Sequence, residues 1–181
     1  YLDMNDRGSC ILFGDGAGAM VLAPLAECRQ GEIVRTTLGA DGAGFDLIHM
    51  NGGGSRVPPS AESVARGDHF IRLKGREVFR FAVTKMADLI AEMVAGYDPS
   101  EISLVVPHQV NARIIEAAVA RLDWSMERVF VNIEKYGNTS AATVPMAFHE
   151  ALEQQRVEKG KLVVFVAFGA GLTWGATLVR W

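Results

Sequence analysis

Apolar positions along this chain follow two rhythms, and the rhythm changes several times. From Gly75 to Ala95, the residues Val78, Ala82, Met86, Leu89 or Ile90, and Met93 recur at steps of three and four. That spacing predicts an amphipathic helix, stopped by Gly96 and Pro99. Asn111 to Leu122 repeats the pattern with Ile114, Ile115, Ala118, Val119 and Leu122 on one face. Ser140 to about Gln155 predicts a third helix, with Pro145 near its first turn, where a missing N–H does least harm. Between these helices, Ile102 to Val106 and Val129 to Ile133 read as short buried strands. Upstream, Cys10 to Phe13 and Ala19 to Ala23 flank GDGAG and read as strand, glycine turn, strand, with Glu32 to Leu38 a further strand. Gly39 to Ser60 carries ADGAG, NGGGSR and VPPS, so it is expected to be a long surface loop.

Leu162 to Val179 carries no charge and is just long enough to raise the question of a membrane span. Its β-branched run VVFV, the central Gly169-Ala170-Gly171 and the later ATLV favour two buried strands joined by a turn. Strands that alternate with helices and close in an antiparallel pair predict an α/β architecture with a mixed sheet. There is no internal repeat and no interdomain linker.

Composition narrows the picture. The 181 residues are 49% apolar and 22% charged, the balance of a globular chain with a sizeable core. A net charge of −3 excludes a global basic field for nucleic acid or an anionic membrane. Cys10 and Cys28 form neither a CxxC pair nor a metal spacing, so a reducing, cytoplasmic setting is expected. The opening YLDMNDRG is neither a signal nor a transit peptide, and is expected to be an internal start within a longer polypeptide.

Three motifs share one placement, each following an apolar strand: PHQVN at 107–111, YGNTSAAT at 136–143 and FGAGLTWGA at 168–176. In open α/β sheets the carboxyl ends of strands gather around one crevice, so His108 and Asn138 are expected to converge. An imidazole N–H and an amide N–H aimed at one carbonyl oxygen would stabilise an enolate, each such donor contributing on the order of 3 kcal/mol. Either residue alone has an ordinary structural reading, His108 as a hydrogen-bonding residue after a strand and Asn138 as a helix cap. His49, His69 and His149 lack metal-ligand spacing and are assigned to structure, and Asp15 to a turn. Gly14, Gly16 and Gly18 alternate without the helix a dinucleotide fingerprint needs.

In order and wording, PHQ-x-N, GNTSAA and AFG-x-G-x-TWG resemble the C-terminal half of the 3-oxoacyl-(acyl carrier protein) synthase III family, condensing enzymes with the thiolase fold. FGDGAGA and NGGGSR-x-P extend the resemblance over essentially the whole chain. It implies that residues 1–30 end an N-terminal thiolase-like half and that 31–181 form the C-terminal half. It also implies a Cys-His-Asn site, with His108 and Asn138 in the last two positions and the cysteine nucleophile before Tyr1. The implied chemistry is acyl transfer from acyl-CoA to that cysteine, then decarboxylation of malonyl-acyl carrier protein to an enolate that attacks the acyl group. CoA thioester and phosphopantetheine would act as substrate carriers, with no permanently bound cofactor. Phe168 would line the channel, Gly169 and Ala170 would form an oxyanion turn, and Gly75, Arg76, Asn111 and Arg113 would meet CoA or carrier protein.

A homodimer is implied, as are the absence of nucleic-acid or membrane partners and poor solubility for this portion alone. The chain departs from the family pattern at Ala170, more often glycine, and at Arg76, more often asparagine. Arg72, Lys74, Arg76, Arg80 and Arg113 are read as either a basic rim for an acidic partner or an ordinary solvated face. Two rival functions stay open at this point: a non-catalytic carrier-binding module, and another acyl transfer on the same fold.

Overall fold

The computed structural model describes all of residues 1–181. Its main sheet has four strands, β1 (Glu32–Ala40), β4 (Ile102–Pro107), β5 (Leu162–Gly169) and β6 (Thr173–Arg180), in the order β1-β6-β5-β4. β4 and β5 run parallel and the other neighbours antiparallel, so the sheet is mixed. The uncharged C-terminal stretch is the β5–β6 hairpin, and no helix is long and apolar enough to cross a membrane.

Helices cover both faces. α2 (Gly75–Val94) and α3 (Ala112–Ala120) bury Ala82, Met86, Ile90, Met93, Ile115 and Ala118 against Leu162, Val164, Val166 and Phe168 of β5. On the other face α5 (Thr143–Glu153) packs Ala147, Phe148 and Ala151 against Leu104, Val106 and Val163. Alternate β5 residues therefore feed two cores, which is why that strand reads as a continuous apolar run. Arg35 on β1 donates to the carbonyls of Glu92, Met93 and Ala95, satisfying the open C-terminal end of α2.

Several expectations from the sequence are corrected. Cys10 to Phe13 is a run of turns, because Ser9 and Cys10 N–H both bond the Asp6 carbonyl and the Asp6 carboxylate takes the Gly8 N–H and Ser9 hydroxyl. Ala19 to Ala23 has no strand partner and is exposed. Gly14 to Gly18 is no turn either. It is an irregular run whose glycines press on Tyr136, then Thr139 and Met146, then Pro145. The 39–60 loop holds a short strand, β2 (Ile48–Met50), that pairs with β3 (Ile71–Leu73), and just beyond it lies the helical turn α1 (Ala61–Ala65), closed by a Ser60–Ser63 capping box. Val129 to Ile133 makes a single bridge to Val105, because the Gln109 carboxamide takes both the Phe130 carbonyl and the Asn132 N–H that a partner strand would use. The short helix α4 (Ile133–Tyr136) follows at once. The third helix begins with a 3-10 turn, Ser140–Ala142, and only then becomes α5.

A Cβ on Gly14 would overlap the Tyr136 carbonyl oxygen. Gly14→Ala is therefore expected to cost about 1–3 kcal/mol in urea unfolding of the full chain. Gly42→Ala, with nothing within 4 Å of the added carbon, should change stability by less than about 1 kcal/mol.

Candidate active site

β4 ends at Pro107, and the His108 N–H continues its pairing by bonding the Val166 carbonyl of β5 at 2.7 Å. This fixes His108 beside the C-terminal end of β5, where Phe168 meets the imidazole edge-to-face with ring centroids 5.9 Å apart. Asn138 arrives from the other side. Its N–H bonds the Leu12 carbonyl (2.8 Å) and its carbonyl takes the Gly14 N–H (3.0 Å), so the glycine run clamps the Asn138 loop. The loop is also held by Glu150 on α5, which bonds Lys135 at 2.7 Å and the Asn132 amide at 2.8 Å. The Lys135 ammonium, followed by Asn132, holds the Glu150 carboxyl below its ordinary pKa.

His108 and Asn138 are only 9% and 6% exposed, yet both line one cavity of about 930 Å³. Phe168, Gly169, Ala170, Gly75, Asn111 and Thr143 line it too. A buried polar side chain must satisfy whatever it turns toward protein. Asn138 Oδ1 accepts the Ser140 N–H at 2.9 Å, leaving the Asn138 Nδ2–H group as a donor for the cavity. His108 Nδ1 lies 2.6 Å from Thr143 Oγ1, and Nε2 has no protein partner. Ser140 stands between the two, with φ of 55°, a left-handed conformation that a non-glycine residue adopts at a cost of roughly 1–2 kcal/mol.

Burial pushes the His108 pKa from 6.5 down to about 4, so the ring is neutral at pH 7. Ala170 N–H has no partner among the hydrogen bonds of its turn, while Thr173 Oγ1 bonds the Ala170 carbonyl at 3.0 Å. That N–H is available to an oxyanion.

The other expected residues divide. The Asn111 side chain caps α3, its Oδ1 accepting the Arg113 N–H at 2.9 Å, although the residue also lines the cavity. Arg76 and Arg113 are exposed and off the cavity wall, each one or two residues from a lining position. The basic cluster is partly neutralised, since Lys74 pairs with Asp46 and Arg72 with Asp3, whereas Arg76, Arg80 and Arg113 have no acidic partner. Neither Cys10 nor Cys28 lines the cavity. Thr143 escaped the sequence reading: it stands 35 residues from His108, and only the packing of α5 brings the two together.

Residues 1–42 match the family model described as 3-oxoacyl-(acyl-carrier-protein) synthase III, and residues 93–181 the one described as its C terminal. A beta-ketoacyl-(acyl-carrier-protein) synthase III of Roseiflexus sp. (strain RS-1) is 50% identical over 183 residues, covering 100% of this chain and 55% of the relative. The crystal structure of 3-oxoacyl-(acyl-carrier-protein) synthase III from Aquifex aeolicus VF5 superposes with a TM-score of 0.79 at 39% identity, over 99% of this chain and 54% of that one. The corresponding structure from Pseudomonas aeruginosa PAO1 gives a TM-score of 0.80 at 36% identity, again over 99% and 54%. The chain thus spans about half the length of the relatives it matches.

Because folding holds His108 neutral well below its unfolded pKa, the unfolded chain binds the extra proton between pH 6.5 and about 4. Stability from this group is fully present above pH 6.5 and is lost as pH falls through that window, by up to about 3 kcal/mol. Urea unfolding from pH 4 to 7 should show that rise, and His108→Gln should remove its share of it.

Proposed function

The chain belongs to the 3-oxoacyl-(acyl-carrier-protein) synthase III family, and from that premise we propose that it supplies the His–Asn portion of a decarboxylating condensation site. One observation carries the reading. Two buried polar side chains, each with one atom tied to protein and one left free, line a single cavity beside the aromatic Phe168. Such an arrangement serves a reaction in which charge develops on one oxygen in an otherwise apolar pocket.

In this proposal a cysteine outside these 181 residues takes an acyl group from acyl-CoA as a thioester. Malonyl-acyl carrier protein then enters, and loss of CO2 leaves its electron pair on the thioester as an enolate. The Asn138 amide donates to the enolate oxygen, and His108 joins it when a proton sits on Nε2. The enolate carbon attacks the acyl-cysteine, whose carbonyl oxygen is met by the Ala170 N–H, and a 3-oxoacyl-carrier protein leaves. The exposed guanidinium groups of Arg76 and Arg113 would meet the phosphates of CoA or the acidic carrier at the cavity mouth.

The cysteine would come from a preceding half of which residues 1–30 are the end, in a cytoplasmic homodimer. The consecutive exposed apolar side chains Met20, Val21 (93%) and Leu22 support that reading, since a monomer rarely leaves such a run uncovered. Retention of both His108 and Asn138 in one cavity favours an enzyme over a carrier-binding module.

His108→Ala and Asn138→Ala, made in the full-length protein, should each slow release of CO2 from malonyl-carrier protein by about a hundredfold or more. Both should leave the protein able to fold, as judged by thermal melting. A wild-type decarboxylation rate in either variant would contradict the assignment.

A further inference from the structure

Thr143 Oγ1 touches two groups, the Ser140 carbonyl at 2.9 Å and His108 Nδ1 at 2.6 Å. A hydroxyl has one proton to donate, and a carbonyl oxygen can only accept. The Thr143 proton therefore goes to Ser140, as is usual for a threonine bonding the carbonyl three residues back on a helix. What remains at Thr143 is an oxygen lone pair, and the short contact to His108 is satisfied only if the imidazole carries its proton on Nδ1. The hydroxyl cannot easily reorient, because Thr143 is 2% exposed and packed at the start of α5. The same Ser140 residue gives its N–H to Asn138 Oδ1, so a single residue orients both members of the pair.

We propose that Thr143 is a positioning residue that holds resting His108 as the Nδ1–H tautomer, so that Nε2 faces the cavity as a proton acceptor. The hydrogen bond at one ring nitrogen decides what the other can do. A neutral ring in this tautomer cannot donate to an oxygen in the cavity, so in the resting site the donor role falls to Asn138 alone. Resting on the condensing function, the tautomer divides the work. When a thiol approaches Nε2, its S–H bond breaks, the electron pair stays on sulfur and the proton moves to Nε2. The ring keeps its Nδ1–H on Thr143 and gains a second N–H, the one an enolate oxygen needs. The departing CoA thiolate takes a proton from solvent. The cysteine thiolate released by condensation takes back the one on Nε2.

The test is long-range proton–nitrogen NMR of the full-length protein labelled with nitrogen-15 histidine, with His108 identified by the loss of its signals in His108→Gln. Wild type should show a pyrrole-like Nδ1 and a pyridine-like Nε2. Thr143→Ser, which keeps the hydroxyl, should preserve the pattern and the rate of cysteine acylation. Thr143→Val, similar in shape but without the oxygen, should lose the Nδ1–H pattern and acylate at least about tenfold more slowly, while still melting in one cooperative transition. A wild-type spectrum with the proton on Nε2 would overturn the proposal, as would an unchanged pattern in Thr143→Val. An Nδ1–H spectrum upholds it even in a protein that condenses no malonyl group, so the tautomer and the proposed reaction fail separately.

Discussion

Two polar side chains sit in an apolar wall, and burial obliges each to satisfy the atom it turns inward. Much of the site follows from how that obligation is met. Asn138 spends its oxygen on the Ser140 N–H, and His108 spends Nδ1 on Thr143. The atoms left over, Asn138 Nδ2 and His108 Nε2, are the ones that can address a substrate. Catalytic capacity here is what remains after the protein's own hydrogen bonds are made.

Holding that pair requires distant parts of the chain to meet. His108 is set by parallel pairing of β4 with β5, while Asn138 is set by the glycine run at 14–18, more than a hundred residues upstream. Glycine is needed there because backbone meets backbone at Tyr136 and side chains crowd in at Met146 and Pro145. Gln109, fully buried beside His108, ties the end of β4 to Phe130 and Asn132, and Asn132 bonds Glu150. A shift in any of these would displace the pair together.

The sequence made the periodic parts legible. α2, α3 and the closing hairpin follow from apolar spacing, and His108 and Phe168 from motifs at strand ends, whereas Asn138 follows the short helix α4 and not the strand its motif was read from. What escaped depends on contacts that no local pattern encodes. Val129 to Ile133 has a strand's composition, but a glutamine side chain occupies its hydrogen-bonding groups. The GDGAG run resembles a turn, yet its glycines serve close packing against Tyr136, Met146 and Pro145. Thr143 reads as one more helix-start residue until α5 packs beneath β4. Arg76 and Arg113 lie beside the cavity rather than on its wall, because the helix starts that carry them turn Gly75 and Asn111 inward.

The central claim is that His108 and Asn138 address one oxygen. A crystal structure of the full-length protein, first acylated on its cysteine so that His108 carries a proton on Nε2, and bound to a malonyl thioester analogue that cannot lose CO2, tests it most directly. The thioester oxygen should lie about 2.9 Å from Asn138 Nδ2 and within hydrogen-bond reach of His108 Nε2. A thioester oxygen turned away from both, with the pair bonded instead to the carboxylate, would contradict it.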